Sequence, residues 1–404
     1  MNNYKKRAAL FLTSQGITLF GSSLTQFSMI WYVTMQTSSG VWVSAMTVAA
    51  YLPQFLISFF SGVWADRYSR KKMIILSDAL IAVATLLLAV LFPRIPDGTP
   101  ILLSLVAISV IRSVGTGIQT PAVNAAVPQL VPEDKLMKFN GFNSAIQSLV
   151  QFAAPMAAGA VLSFGTLRAA MAIDIATAAV GIGILLAVAI PFEKREDTPS
   201  TLSEMKVGIK YAVKECFIGQ LLLVFGLFVF LCVPAGFMAT LFVKRCYGDA
   251  YWYMTLVEVV GFIGMTAGGL IIGAWGGFKN RMKTLVAGIM AFGALAVGMG
   301  AIDNFIVYLV LMAFYGVALT MVQTSATTLF QEQSSPEMQG RVFGLFGAMY
   351  SGFLPLGMVV FGPLADVVSM RILMIISGIL LLVMSMIILL NRRFYLHKAN
   401  DRTQ

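Results

Sequence analysis

The stretch GVWADRYSRKK, Gly62 to Lys72, sets four basic side chains and one carboxylate between two long apolar runs. The run before it, 41–65, and the run after it, 73–92, consist mostly of Ile, Leu, Val, Phe and Ala. About 20 consecutive apolar residues form a helix that crosses the roughly 30 Å hydrocarbon core of a bilayer. The charged stretch is therefore predicted to be a short loop at a membrane surface between two spanning helices.

Apolar runs of this length recur along almost the whole chain. Among its 404 residues, 58% are hydrophobic and only 11% are charged. Turn residues and charges divide the chain into twelve predicted spans, which cover residues 8–35, 41–65, 73–92, 100–127, 139–163, 168–190, 217–243, 251–276, 284–302, 304–331, 341–366 and 370–391. We therefore expect an all-α integral membrane protein with twelve transmembrane helices.

The distribution of Lys and Arg predicts the orientation of these spans. If the N-terminus is cytoplasmic, 22 of the 28 basic residues fall in cytoplasmic segments, five fall in outer loops, and Arg112 lies within a span. Basic residues are enriched in cytoplasmic loops, so both termini are predicted to lie on the cytoplasmic side of the cell membrane. The same bias accounts for the formal net charge of +10, and no nucleic-acid partner is expected.

One long polar segment, 191–216, separates six predicted spans from six. In its second part Lys206, Lys210 and Lys214 recur every four residues, as in an amphipathic helix that lies on a membrane surface. The predicted organisation is an N-terminal six-helix bundle over 1–190, a cytoplasmic linker over 191–216, a C-terminal six-helix bundle over 217–392 and a cytoplasmic tail over 393–404.

The two halves repeat each other in sequence. The segment TGIQTPAVNAAVPQLVPEDKLMKF, which begins at Thr116, aligns without a gap with TMVQTSATTLFQEQSSPEMQGRVF, which begins at Thr320, an offset of 204 residues. The identical positions include Gln119 with Gln323, and at an offset of 211 GVWADRYSRKK aligns with GAWGGFKNRMK. Halves duplicated in one orientation are typical of carriers that hold their substrate between the halves. The sequence therefore predicts two pseudo-symmetric six-helix bundles.

These motifs resemble those of the major facilitator superfamily over essentially the full length of the chain. The opening stretch is similar to the superfamily loop pattern G-x-L-a-D-r-x-G-r-k, which it matches at Gly62, Ala65, Asp66, Arg67, Arg70 and Lys71. The run IRSVGTGIQTPAVNAAVPQLVPE, which contains Arg112, most resembles the macrolide-efflux branch of drug:proton antiporters. A fifth-span antiporter pattern is half present in QFAAPMAAG, where Ala154 replaces a glycine. The resemblance implies the major facilitator fold and a transport function.

The resemblance also implies a role for the charged loop. In the superfamily this loop latches the two halves together in the outward-facing state, so the predicted gating residues are Gly62, Asp66, Arg67, Arg70 and Lys71. A carboxylate near a helix N-terminus gains about 0.3–1 kcal/mol from the helix dipole, and Asp66 is expected where the eleventh span begins. The alternative is that the loop serves as a topology signal alone.

Four ionisable residues fall within predicted spans and are the candidates for proton coupling: Asp78, Arg112, Asp174 and Glu258. A charge inside the bilayer costs at least ~2.5–3.5 kcal/mol unless it is paired or hydrated, so each is a functional candidate. Glu258 is our first candidate for the proton carrier, and Arg112 is interpreted as a permanent counter-charge or, as the alternative, a helix-packing residue. Asp78 and Asp174 could equally be structural partners of backbone or helix-end groups.

Uncharged polar side chains form stripes that predict the wall of a central cavity. On the fifth span Asn140, Asn143, Gln147 and Gln151 have spacings of three and four, which places them on one helical face. The predicted cavity and substrate-binding residues are Gln15, Gln26, Gln119, Asn124, Asn143, Gln147, Gln151, Thr320, Gln323 and Thr327. The alternative is that these side chains hydrogen-bond between helices.

The predicted function is export of an amphipathic small molecule, such as a macrolide-like drug, a siderophore or another metabolite, by proton antiport and alternating access. The alternatives are proton-coupled or facilitative uptake of a small organic nutrient and a non-transporting membrane receptor. An enzyme is not expected, because the sequence has no Walker-type glycine loop and no nucleophile–base constellation.

No cofactor or metal site is expected, because Cys216, Cys232 and Cys246 lie in apolar settings and are interpreted as packing residues. The expected partners are the amphipathic substrate, protons and the lipid bilayer, and the protein is expected to be monomeric.

Overall fold

A computed structural model describes residues 3–190, 209–212, 214–335 and 338–391. Across these ranges the chain is built of α-helices joined by short connections, and they contain no strand. The main helices are α1 Asn3–Thr37, α2 Gly40–Arg67, α3 Arg70–Leu91, α4 Thr99–Leu130, α5 Leu136–Phe164, α6 Leu167–Leu186, α7 Cys216–Leu231, α8 Ala239–Cys246, α9 Tyr251–Trp275, α10 Arg281–Ala301, α11 Phe305–Gln333, α12 Gln339–Val367 and α13 Met370–Leu390.

Ten helices within the described ranges are long and apolar enough to cross a membrane, which confirms the predicted all-α membrane fold. The ten do not include α1, which carries amides at Gln15 and Gln26, or α7, which has only 16 residues. The predicted total of twelve spans is consistent with these ten helices together with α1 and the α7–α8 segment.

The chain divides into two compact units. The described residues of the first unit fall within Met1–Thr37, Ala45–Leu202 and Ala250–Thr255, and those of the second within Ser38–Ser44, Ser203–Asp249 and Leu256–Gln404. The domain limits given above stay a prediction. Most of the predicted linker and all of the predicted tail lie outside the residues that the structure describes.

In the first unit, α1 packs along α5 and α6, and α3 packs against α4 and α6. Small residues allow the close approach of α1 and α6, since a Cβ at Gly181 would collide with Thr18. At the same crossing the Ser14 hydroxyl donates to the Gly181 carbonyl at 2.8 Å. Small and hydroxyl-bearing residues at helix contacts are typical of membrane bundles. These contacts hold α1, α3, α4 and α6 around one shared interior.

In the second unit, α10 packs against α11 and α13, and α7 packs against α12. Aromatic rings fill the interior of this unit. The ring of Phe292 lies 4.9 Å from that of Phe228 and 4.0 Å from that of Tyr315, centroid to centroid. Large rings at these distances contribute burial and favourable ring contacts together.

The predicted seventh span, 217–243, differs from the structure, in which α7 ends at Leu231 and α8 begins only at Ala239. Pro234 has no backbone N–H and clashes with a preceding carbonyl inside a helix, so the helix stops before it. Hydrogen-bonded turns bridge the gap, including one from the Met238 amide to the Val233 carbonyl at 3.0 Å. Cys216 at the start of α7 is exposed, so the expectation that it packs in the interior was wrong.

Candidate functional site

A polar cavity of about 300 Å³ lies inside the first unit, lined by α1, α3, α4, α5 and α6. It collects many of the predicted site residues, because the polar stripe of α5 faces the amides of α1 and α4. The predicted residues that line it are Gln15, Asp78, Gln119, Asn124, Asn143, Gln147, Gln151 and Asp174.

At one side of this cavity Arg112 of α4 forms an ion pair with Asp174 of α6 through Nη1 and Oδ2, with side chains only 3% and 2% exposed. The hydroxyl of Thr85 on α3 accepts from Arg112 Nη1 at 2.5 Å and donates to Asp174 Oδ2 at 3.3 Å. Arg112 Nη2 donates to the carbonyl and the hydroxyl of Ser22 on α1, at 3.1 and 3.0 Å. The pair therefore joins four helices and is neutral as a whole.

Asp78 of α3, also on this cavity, has a different environment. Its Oδ1 accepts a hydrogen bond from Gln119 Nε2 at 2.6 Å. Its Oδ2 is buried and has no hydrogen-bond partner among the described residues. A buried polar oxygen without a partner is costly, and a negative charge there is more so. Asp78 is therefore the carboxylate in this cavity whose charge can change without breaking an ion pair.

The remaining proton-coupling candidate, Glu258, lies on α9 of the second unit with a half-buried side chain. It is not among the residues that line the polar cavity. Its role as proton carrier stays a prediction.

Several predicted cavity residues are engaged elsewhere. In the second unit the Thr320 hydroxyl donates to the Met265 carbonyl at 3.0 Å, and the Thr327 hydroxyl donates to the Gln323 carbonyl at 2.8 Å. The bond from Thr320 joins α11 to α9, as in the alternative of hydrogen bonds between helices, whereas the bond from Thr327 lies within α11. Gln26 does not line the polar cavity, and its buried Nε2 has no hydrogen-bond partner in the described ranges.

Most of the stretch predicted to be a charged loop lies in helices, because α2 ends at Arg67 and α3 begins at Arg70, and its basic side chains cap helix ends within the first unit. Arg70 Nε donates to the Ala65 carbonyl of α2 at 3.1 Å, and Lys71 Nζ donates to the Leu186 carbonyl of α6 at 2.7 Å. Basic side chains near the carbonyl end of a helix stabilise it. Gly62 lies inside α2 and Arg67 is exposed at its end. The side chain of Asp66 lies outside what the structure describes, so the gating role stays a prediction.

Two residues that hold the ion pair were missed from the sequence, although a signal for them exists. Thr85 follows Asp78 by seven residues and Ser22 follows Gln15 by seven, which places each on the face of an already selected residue. The pairing of Arg112 with Asp174, 62 residues apart in the chain, had no sequence signal.

Comparisons with known proteins agree with this architecture. Residues 11–355 match the sequence model of the Major Facilitator Superfamily. The chain is 29% identical over 386 residues to Macrolide efflux protein A of Streptococcus pyogenes, covering 93% of this chain and 94% of that protein. It is 30% identical to Macrolide efflux protein A of Enterococcus faecalis, covering 78% and 98%. Among solved structures, a mutant of the nucleoside transporter NupG superposes with a TM-score of 0.75 at 14% identity, covering 96% of this chain and 99% of that one.

Proposed function

Because the chain belongs to the major facilitator superfamily, we propose that it is a proton-driven exporter of amphipathic small molecules of the macrolide type. The names of the two relatives reported above support this class of substrate. The observation that carries the proposal is the polar cavity, in which a neutral buried ion pair stands beside one carboxylate that has no ion-pair partner among the described residues.

In this proposal Asp78 carries the proton, and Glu258 is the second candidate. Protonating Asp174 would leave Arg112 as a buried charge without its partner, and loss of one partner of a buried pair costs about 3–5 kcal/mol. Protonating Asp78 breaks no ion pair, and it removes the negative charge from a carboxylate whose Oδ2 has no hydrogen-bond partner among the described residues. Asp78 is thus the better place for a proton that must be bound and released in every cycle.

Gln119 would connect this proton to the cargo. When Asp78 is ionised, its Oδ1 accepts from Gln119 Nε2. A proton on Oδ1 would make this oxygen a donor, so the Gln119 amide would have to turn and present its own oxygen as the acceptor. Gln119 lines the cavity, and its two arrangements would present different polar groups to a bound molecule. The bound proton and the bound cargo would in this way favour different orientations of the Gln119 amide.

The orientation and the cycle belong to the same proposal. With both termini cytoplasmic in the cell membrane, as the distribution of basic residues favours, the cavity would open alternately to the two sides. Export would follow if a proton from the outer solution displaces the cargo to the outside. The same proton would then be released into the cell interior.

The test uses purified protein in proteoliposomes with an imposed pH gradient and radiolabelled erythromycin. We expect gradient-driven accumulation by the parent protein and by the control Asp97→Asn, whose side chain is exposed in a connection. Asp78→Asn is expected to bind the drug but to lose accumulation against a gradient by at least about tenfold. Gradient-driven accumulation by Asp78→Asn at the parental level would contradict the assignment, and no transport by any form would contradict the exporter.

A further inference from the structure

A second cavity of the first unit, of about 580 Å³, lies where α2 ends and α3 begins. Side chains from α2, α3 and the connection between them line it, together with Ile118 of α4. Its volume falls within the ~300–1,000 Å³ of small-molecule sites. Among the described residues it shares no lining side chain with the polar cavity, so it is a separate site.

The charges at this second cavity favour an anion. Arg67 and Lys72 both line it and both are exposed, and its described lining residues include no carboxylate. Ser69, the N-cap residue of α3, also lines it, and its side chain makes no capping hydrogen bond. A helix N-terminus attracts negative groups, so it adds to the field of the two cations.

The apolar part of the lining favours a ligand that is also a lipid. Leu76 and Leu80 line the cavity and are 68% and 41% exposed. They follow Lys72 at intervals of four residues, which places the three on one face of α3. Val83 and Leu87, which are 54% and 57% exposed, extend the apolar surface further along this spanning helix. Acyl chains of the bilayer are the apolar solvent such a surface meets.

The lining of this cavity also includes a buried hydroxyl, that of Ser77. Ser77 lines the cavity, is only 3% exposed, and its Oγ has no hydrogen-bond partner in the described part of the chain. It follows Lys72 by five residues, or about 7.5 Å along the helix axis. Trp64 and Tyr68 flank the same cavity, and such side chains are enriched at headgroup level.

We propose that this cavity binds one anionic phospholipid. The phosphate lies at Arg67 and Lys72, an ester carbonyl accepts from the Ser77 hydroxyl, and an acyl chain runs along Leu76 and Leu80. A soluble phosphate ester would use the cations but would leave the leucine surface uncovered. A zwitterionic lipid would cover the leucines but would add a positive group beside the cations.

The test is native mass spectrometry of the delipidated full-length protein, titrated with palmitoyl-oleoyl phosphatidylglycerol. Each cation near an anionic headgroup is worth about fivefold in affinity, so Arg67→Gln with Lys72→Gln should weaken the first binding step about 25-fold. The charge-preserving exchange Arg67→Lys with Lys72→Arg should bind as the parent does. The matched control is Lys279→Gln with Lys283→Gln, which removes two exposed cations from the repeat-related loop and should change the affinity less than twofold.

Two further ligands show whether the cavity selects an anionic lipid over a zwitterionic lipid or a soluble phosphate ester. Phosphatidylcholine with the same chains should bind at least tenfold more weakly than phosphatidylglycerol, and millimolar glycerol 3-phosphate should not displace the lipid. Parental affinity in the double Gln variant, equal binding of both lipids, or displacement by glycerol 3-phosphate would each overturn the proposal. If the double Gln variant does not purify as a folded protein, Leu76→Glu places a carboxylate in the lining, and unchanged affinity for phosphatidylglycerol in that variant would overturn it as well.

Discussion

The first and the second unit repeat the same helices but fill their interiors differently. In the first unit α4 carries Arg112, which bonds to side chains or backbone of α1, α3 and α6. At the offset of 204 residues the corresponding position on α11 is Gly316. A Cβ on Gly316 would collide with the backbone of Gly261 and Gly264, so α11 and α9 touch there directly.

The two units also differ at the position of Asp78. At the offset of 211 residues Asp78 corresponds to Ile289, whose side chain is fully buried in the second unit. The first unit thus keeps a polar cavity where the second packs backbone, aliphatic and aromatic groups. Most repeat-related helices keep a similar length, as α5 and α12 do with 29 residues each, but α1 and α7 differ, and a few substitutions decide that the first unit holds the buried ion pair.

The largest expected effect follows from breaking the ion pair of the first unit. Arg112→Ala leaves Asp174 buried without its counter-charge, and we expect a loss of about 3–5 kcal/mol in the free energy of unfolding. Denaturant unfolding in detergent measures it. The double variant Arg112→Met with Asp174→Leu removes both charges and should lose far less. Equal losses in the single and double variants would show that the pair does not act as a unit.

A smaller effect is expected when a side chain is placed at Gly316, the position in the second unit that corresponds to Arg112. Gly316→Ala forces a Cβ into the backbone of α9, and overpacking of this kind costs about 1–3 kcal/mol. The control is Gly344→Ala in α12, where a Cβ meets no atom within 4 Å. In that variant the better helix propensity of alanine should add about 0.5–1 kcal/mol. Thermal unfolding of both variants should therefore shift in opposite directions, and a gain for Gly316→Ala would refute the close contact.

The smallest effect concerns the loop that both halves carry. Lys71→Gln removes the hydrogen bond from Nζ to the Leu186 carbonyl, and a charge at a helix C-terminus contributes about 0.3–1 kcal/mol. Lys72→Gln, one residue away and exposed, should leave the unfolding free energy unchanged in detergent without anionic lipid. If the two variants lose the same stability, the capping of α6 by Lys71 contributes nothing measurable.

Periodicity was enough to predict most of the fold and part of the cavity wall. The predicted span 139–163 corresponds to α5, Leu136–Phe164, and its polar stripe places Asn143, Gln147 and Gln151 on the polar cavity. Such features depend on hydropathy and on the helical repeat, which are local properties of the sequence. The break between α7 and α8 was signalled by Pro234 but was not predicted, because prolines also occur inside other helices of this chain.

The chemistry of the site could be predicted only as a set of candidates. Charge within a span selected Asp78, Arg112, Asp174 and Glu258 alike. Their different environments arise from contacts between helices that are far apart in the chain, as in the bond from Arg112 to Asp174. Hydropathy does not indicate which charged side chains form ion pairs. The structure was therefore needed to distinguish the paired carboxylate of Asp174 from the carboxylate of Asp78.

Proton carriage by Asp78 is tested most directly by asking whether cargo binding releases a proton from this residue. Purified protein in weakly buffered detergent solution is mixed with erythromycin, and the pH change is followed with an indicator dye. We expect proton release by the parent and by Glu258→Gln, and none by Asp78→Asn. Undiminished release by Asp78→Asn, together with its loss in Glu258→Gln, would refute proton carriage by Asp78 and assign it to the second unit.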